Sequence, residues 1–184
     1  MAINFAEKDH MRIIFLFLLI ANVSSGQKSA EVQKSELSIN NYVTSVDNLT
    51  LDAALEINKR VTTTAVLLNK KISIALLDAS GTIILITRAD GVGPHNTGAA
   101  RRKAYTALYT KTATLELLRN AEKNSDTKNL NTLPELLLLS GGIPIWYKRN
   151  IIGSIGVAGG GSPENDDFIA KSAAIAELGI TTAK

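Results

Sequence analysis

Residues 141–167 read GGIPIWYKRNIIGSIGVAGGGSPENDD, and this stretch decides the architecture. Ile143, Ile145 and Tyr147 alternate with Pro144 and Trp146, the period of two expected of a strand with different residues on its two faces. Arg149 and Asn150 are placed in the following turn. Ile151 to Val157 is apolar or glycine apart from Ser154, which suits a covered strand with glycines where something packs close. Gly159, Gly160 and Gly161 end it. Ser162 followed by Pro163 marks a helix start, because the serine oxygen can accept a free backbone N–H and proline fixes the first helical φ. Glu164, Asp166 and Asp167 add negative charge where the helix dipole favours it. The unit is strand, turn, strand, helix.

Working outward toward the N-terminus, Leu136 to Leu139 is a short apolar run before Gly141 and is expected to form a further strand. Asn120 to Asn131 is polar and expected to be a disordered connection. Thr97 and Gly98 open a predicted long helix through Arg119, with Ala100, Ala104, Leu108, Thr112 and Leu115 on one side. The breaker-rich loop from Gly91 to Asn96 precedes it. Ile72–Leu77 and Thr82–Thr87 form a second predicted hairpin around Asp78-Ala79-Ser80-Gly81, where Asp bonds the backbone and Gly takes positive φ. A helix is predicted from Thr50 to the Lys70-Lys71 pair, with Leu51, Ala54, Leu55, Val61, Ala65 and Leu68 as its apolar stripe. The closing helix is placed over Asp166 to Leu178. Hairpin-linked strands with helices on the sheet give an α+β domain with an antiparallel sheet.

Ile13 to Ala21 is a nine-residue apolar run behind Arg12, the core of a secretion signal and too short to span a bilayer. Ser24 and Gly26 supply the small residues for a cut before Gln27. Residues 1–26 are therefore expected to be a signal peptide, with 1–10 a candidate over-extended start before Met11, and the product exported to the periplasm or beyond. Residues 27–48 are polar and read as a tether or an added edge segment; residues 49–184 form the domain. The remaining length, roughly 160 residues, suits one domain with a real core. A net charge of +3 without clustered Lys, Arg and aromatics does not indicate nucleic acid. The absence of cysteine excludes disulfides, thiol nucleophiles and thiolate-bound metal.

After such a cut His95 is the only histidine left. Imidazole ligates transition metals or haem iron, or it is a solvated loop residue here. Zinc would need further converging ligands, and no HxxxH or HxH pair exists. Arg101, Arg102 and Lys103 can pair with carboxylates or form a solvated helix face. Tyr105 and Tyr109, four apart, share a helix face and either stack on a flat ligand, ligate ferric iron or join the core. The three glycines before a helix offer N–H groups to an anion, but without a P-loop lysine a tight turn is the stronger reading. No GxSxG elbow is present, and nothing pairs Asp78 with Asp90 as catalytic carboxylates.

LTLDAALEI at Leu49–Ile57, LLDASGTIILITRADG at Leu76–Gly91, ARRKAYTAL at Ala100–Leu108, and GGIPI followed by IIGSIGVAGG occur in an order and spacing that resembles the GlcG/HbpS-like proteins. That family also supplies the C-terminal domain of PduO-type corrinoid adenosyltransferases. The resemblance runs from about Leu49 to Gly179, nearly the whole domain. It implies a profilin- or PAS-like five-stranded antiparallel sheet with flanking helices. It also implies haem binding in some members, haem degradation in some, homo-oligomers, and, for secreted members, haem sensing or scavenging with a sensor-kinase partner. Arg101, Arg102, Lys103 and Thr106 fall in its KAxTA-type motif, which implies a ligand or subunit surface. His95 or a nearby tyrosine would then be the iron contact. The chain lacks an N-terminal motif rich in His or Cys, which favours binding over degradation. The alternatives are an enzyme acting on haem, a small organic acid or a corrinoid, and a ligand-free assembly module.

Overall fold

In the computed structural model, residues 42–184 are described, and those from Ser45 onward form one compact unit. The expected leader, residues 1–26, lies outside the described residues, as does most of the expected tether. Its end is tied down: Asn48 Oδ1 accepts from Ala79 N at 2.8 Å, and Leu49 N donates to Ile152 O.

Five helices and five strands follow: α1 Leu51–Leu67, β1 Ser73–Asp78, β2 Ile83–Arg88, α2 Pro94–Thr110, α3 Thr114–Ala121, α4 Ser125–Asn129, β3 Gly142–Tyr147, β4 Asn150–Ala158, α5 Pro163–Lys171 and β5 Ile180–Thr181. The strands make one antiparallel sheet in the order β2-β1-β4-β3-β5, the expected α+β architecture.

The period of two sorts each strand between two helical layers. Ile74, Leu76, Ile143, Ile145, Ile155 and Val157 point to the face covered by α1 and α5 and join Ile57, Val61 and Ile169 in the main core. Within α1 the buried residues are Ala54, Ile57, Val61 and Ala65; Leu51 and Leu55, expected in the stripe, are exposed. Thr50 caps α1, its Oγ1 accepting from Ala53 N.

The opposite face is built from small residues so that α2 can lie directly on the backbone. A Cβ on Gly156 would stand 1.9 Å from Ala100 O, and one on Gly142 would stand 2.2 Å from Lys103 O. Ala100, Ala104 and Ala107, all buried, are the matching side chains of α2. The glycines of the quoted stretch thus set the closeness of helix and sheet.

Five expectations need correction. The helix placed over 97–119 begins earlier, at Pro94, and stops at Lys111, which is left-handed at φ 54°. The chain redirects there so that buried Thr114, the first residue of α3, accepts Gly142 N at 2.8 Å. Leu136–Leu139 is not a strand. Its alternate residues are buried, but its backbone bonds to side chains of α2 and to Asn131 instead of a neighbouring strand. The fifth strand is β5, paired with Trp146 and Tyr147, and the predicted closing helix ends at Lys171. Residues 120–131, expected to lack structure, hold α4, capped by Asn124. The β3–β4 turn is one residue earlier than expected, at Lys148 and Arg149, whose φ values of 47° and 68° define a type I′ hairpin.

Candidate functional site

Residues 95, 99 and 103 recur every fourth position, so His95, Ala99 and Lys103 fall on one side of α2 and line a single cleft of about 440 Å³. Leu118 of α3 and Leu139, the latter 49% exposed, form apolar walls. The turn after β4 and the start of α5 complete the rim. His95 is exposed there, and its ring folds back over Gly93: a Cβ on Gly93 would stand 2.7 Å from His95 Cε1.

The floor is an internal ion pair. Lys103 is only 4% exposed, and its Nζ donates to Asp166 Oδ2 at 2.7 Å and to Val157 O at 2.9 Å. Asp166 Oδ1 accepts from Gly160 N at 2.7 Å, while Asn165 Nδ2 donates to Gly160 O. The Gly160 N–H group is therefore occupied by the chain's own carboxylate, and the glycine turn is a structural joint. Ser162 caps α5 by accepting Asn165 N, and Ser140 Oγ donates to Pro163 O.

The other basic residues are employed differently. Arg102 Nη2 donates to Leu136 O at 2.6 Å, and buried Thr106 accepts Leu137 N while donating to Arg102 O. Both hold the 136–138 segment against α2. Arg101 pairs with Glu135 at the surface, at 2.8 Å, an arrangement that contributes little stability and exchanges readily.

Tyr105 and Tyr109 do stack on each other, with ring centroids 4.3 Å apart. Tyr109 Oη donates to Ser80 O at 2.9 Å, clamping the β1–β2 turn, and its hydroxyl pKa is raised by desolvation and then by Tyr105. Tyr109 faces a separate cleft with Lys111 and Asp47. Fourteen residues of helix place it about 21 Å along the axis from His95. The seven residues expected to form one site are thus divided: His95 and Lys103 share a cleft, Arg102 and Thr106 brace a loop, Arg101 pairs with Glu135 at the surface, and the tyrosines serve the far end.

Asn96, Leu118, Leu139 and Asp166 belong to the cleft without having been singled out from sequence. The four-residue spacing back from Lys103 was the available signal for the first turn of α2. For Asp166 there was none, because acidic residues at a helix start already satisfy the dipole. Among the described residues no three His, Cys, Asp or Glu side chains converge as a metal site, and no helix is long and apolar enough to cross a membrane.

Comparison with known proteins agrees with this architecture. A double mutant of Streptomyces reticuli HbpS is 33% identical over 75% of this chain and 92% of its own, with a TM-score of 0.68. The PduOC:heme complex is 26% identical, covering 74% of this chain and 99% of that one, with a TM-score of 0.65. The corrinoid adenosyltransferase PduO of Citrobacter freundii is 31% identical over 111 residues, 59% of this chain but only 32% of that enzyme. The model of the family described as haem degrading protein HbpS-like matches residues 49–175, from the end of the tether to just past α5 and including all strands but β5, and the chain belongs to that family.

Proposed function

We propose that this chain binds haem in the cleft headed by His95. The observation that carries the reading is the exposed imidazole at the rim of an apolar-walled cleft of about 440 Å³, within the ~300–1,000 Å³ usual for small-molecule sites. The residues fit such a group: His95 would ligate haem iron, and Leu118 and Leu139 would offer apolar contact to a flat ring. When bound, haem would supply iron-centred redox and ligand-binding chemistry. Arg101, which does not itself line the cleft, is the member of the basic trio able to exchange its exposed partner for a ligand carboxylate that extends past the rim. Lys103 is not, because leaving Asp166 would strand a buried charge. The haem-bound PduO domain supports this reading.

Binding is favoured over turnover because Lys103 and Asp166 neutralise each other and leave His95 as the cleft's unpaired titratable side chain among the described residues. Export, with a haem-sensing or scavenging role as a homo-oligomer and a sensor kinase as partner, completes the proposal; its support is the leader-like run at 13–21 and the family. Hemin bound to the full chain should retain its Soret band under peroxide, and under reductant it should show only the reversible shift from ferric to ferrous haem. Loss of the Soret band with release of iron would move the function to haem degradation.

A further inference from the structure

We infer that two copies of this chain join through the open edge of the sheet, β2 pairing antiparallel with its counterpart and α1 lying alongside the partner's α1. This rests on the homo-oligomer part of the proposed function, deepens it by naming the surface, and does not depend on haem.

β2 is the terminal strand of the sheet, and among the described residues nothing pairs with its outer edge. Ala89 N donates to Ile72 O, so alternate amides turn to β1 and those of Ile86 and Arg88 turn outward. The one irregularity in the pairing lies at Ile84, beside the turn, and leaves Leu85 to Arg88 regular. Natural edges are guarded by charge or proline, yet Ile83 to Thr87 holds neither, and Ile83 is nearly half exposed. Such an edge calls for a cover.

α1 extends the same surface. Thr87 Oγ1 donates to Asn58 Oδ1, while Arg60 Nη1 donates to Ala174 O, so the Asn58 flank of the helix is the one toward β2. At about 100° per residue, Leu51, Leu55, Thr62 and Val66 fall within about 60° of arc next to Asn58 and far from Arg60. All four are exposed, and Thr62 and Val66 line one groove with Thr87 and Arg88. Helix stripe and strand edge are therefore one largely apolar strip, about 25 Å long and about 20 Å deep. That is on the order of 500 Å² per copy, which reaches the ~1,000 Å² total of a specific interface.

The strip matches itself, which selects a second copy as its occupant. Leu51 and Leu55 stand as far before the Asn58–Lys59 bond as Val66 and Thr62 stand after it. A twofold axis at that level sets Leu51 against the partner's Val66 and Leu55 against the partner's Thr62. The same axis brings Asp52, at one end of the strip, toward the partner's Lys71 at the other. Neither Asp52 nor Lys71 has an ion-pair partner among the described residues, and the antiparallel helix dipoles favour the arrangement.

Light scattering of the full chain should show an even-numbered oligomer. Ile83→Lys with Leu55→Lys puts like charges on both sides of the axis and should at least halve that mass, with circular dichroism verifying the fold. Phe168→Lys, at an exposed position on α5, should leave the mass unchanged. The chain has no cysteine, so Leu55→Cys mixed with Thr62→Cys should be joined by a short bis-maleimide. Thr63→Cys, about 100° further round the helix, should not substitute for Thr62→Cys. A monomeric natural chain, whether β2 stays bare or residues 1–41 cover it, would overturn both this proposal and the homo-oligomer reading. An oligomer whose mass is unchanged by Ile83→Lys with Leu55→Lys, or that gives no crosslink between positions 55 and 62, would overturn this surface and leave the homo-oligomer standing.

Discussion

Lys103 on α2 and Asp166 in the first turn of α5 meet at 2.7 Å beneath the cleft, joining the layers on opposite faces of the sheet. The pair also fixes the end of β4, through Val157 O on one side and Gly160 N on the other. Neither group contacts bulk water appreciably, so each depends on the other for its charge to be tolerated.

Replacing Lys103 by Met should therefore destabilise the domain by about 3–5 kcal/mol, because Asp166 would be left buried and unpaired. His95→Ala should change stability by less than about 0.5 kcal/mol, as its side chain is exposed. Urea unfolding of both variants measures the contrast; equal effects would remove the ion pair from its structural role.

Glycine positions give a contrast that does not involve charge. Gly156→Ala places a Cβ 1.9 Å from Ala100 O, so α2 must move away, at a cost of about 1–3 kcal/mol or more. Gly98 lies within α2 itself, and a Cβ there meets nothing within 4 Å. Gly98→Ala should stabilise by about 0.4–1 kcal/mol through the unfolded chain and helix propensity. Thermal melts of the two variants should shift in opposite directions.

The overall plan was legible because burial on both faces of the sheet imposes clear periods on the strands and on α1. Its departures are tertiary. Lys111 is left-handed because Thr114 is needed by Gly142, and no local signal at a lysine announces that. Leu136 and Leu138 imitate a strand because α2 buries alternate residues of an unpaired segment. Two-residue β5 is too short to carry a period. In the site, His95 was visible by its chemistry alone. Lys103 looked like part of a polar face, since its partner lies 63 residues away.

Stability should also follow pH through Asp78. Partial burial opposes its ionisation, but hydrogen bonds from Ser80 and Thr82 prevail and hold its pKa below the usual carboxylate value. With a folded pKa depressed below the unfolded one, its contribution is present above about pH 4 and is lost as pH falls through the folded value. Asp78→Asn should flatten that part of the acid limb in stability measured between about pH 5 and 2. An unchanged acid limb would contradict the turn's role.

The β3–β4 hairpin holds Lys148 and Arg149 at positive φ, where non-glycine residues are strained. Lys148→Asn with Arg149→Gly supplies the residues preferred in a type I′ turn. A gain of about 1 kcal/mol or more is expected in equilibrium unfolding.

The most direct measurement is a hemin titration of the full chain and of His95→Ala, followed at the Soret band. The haem-binding account predicts a saturable shift for the natural sequence, weakened at least about tenfold by the substitution with the fold intact. A flat titration of the natural sequence, or identical curves for the two proteins, would contradict it.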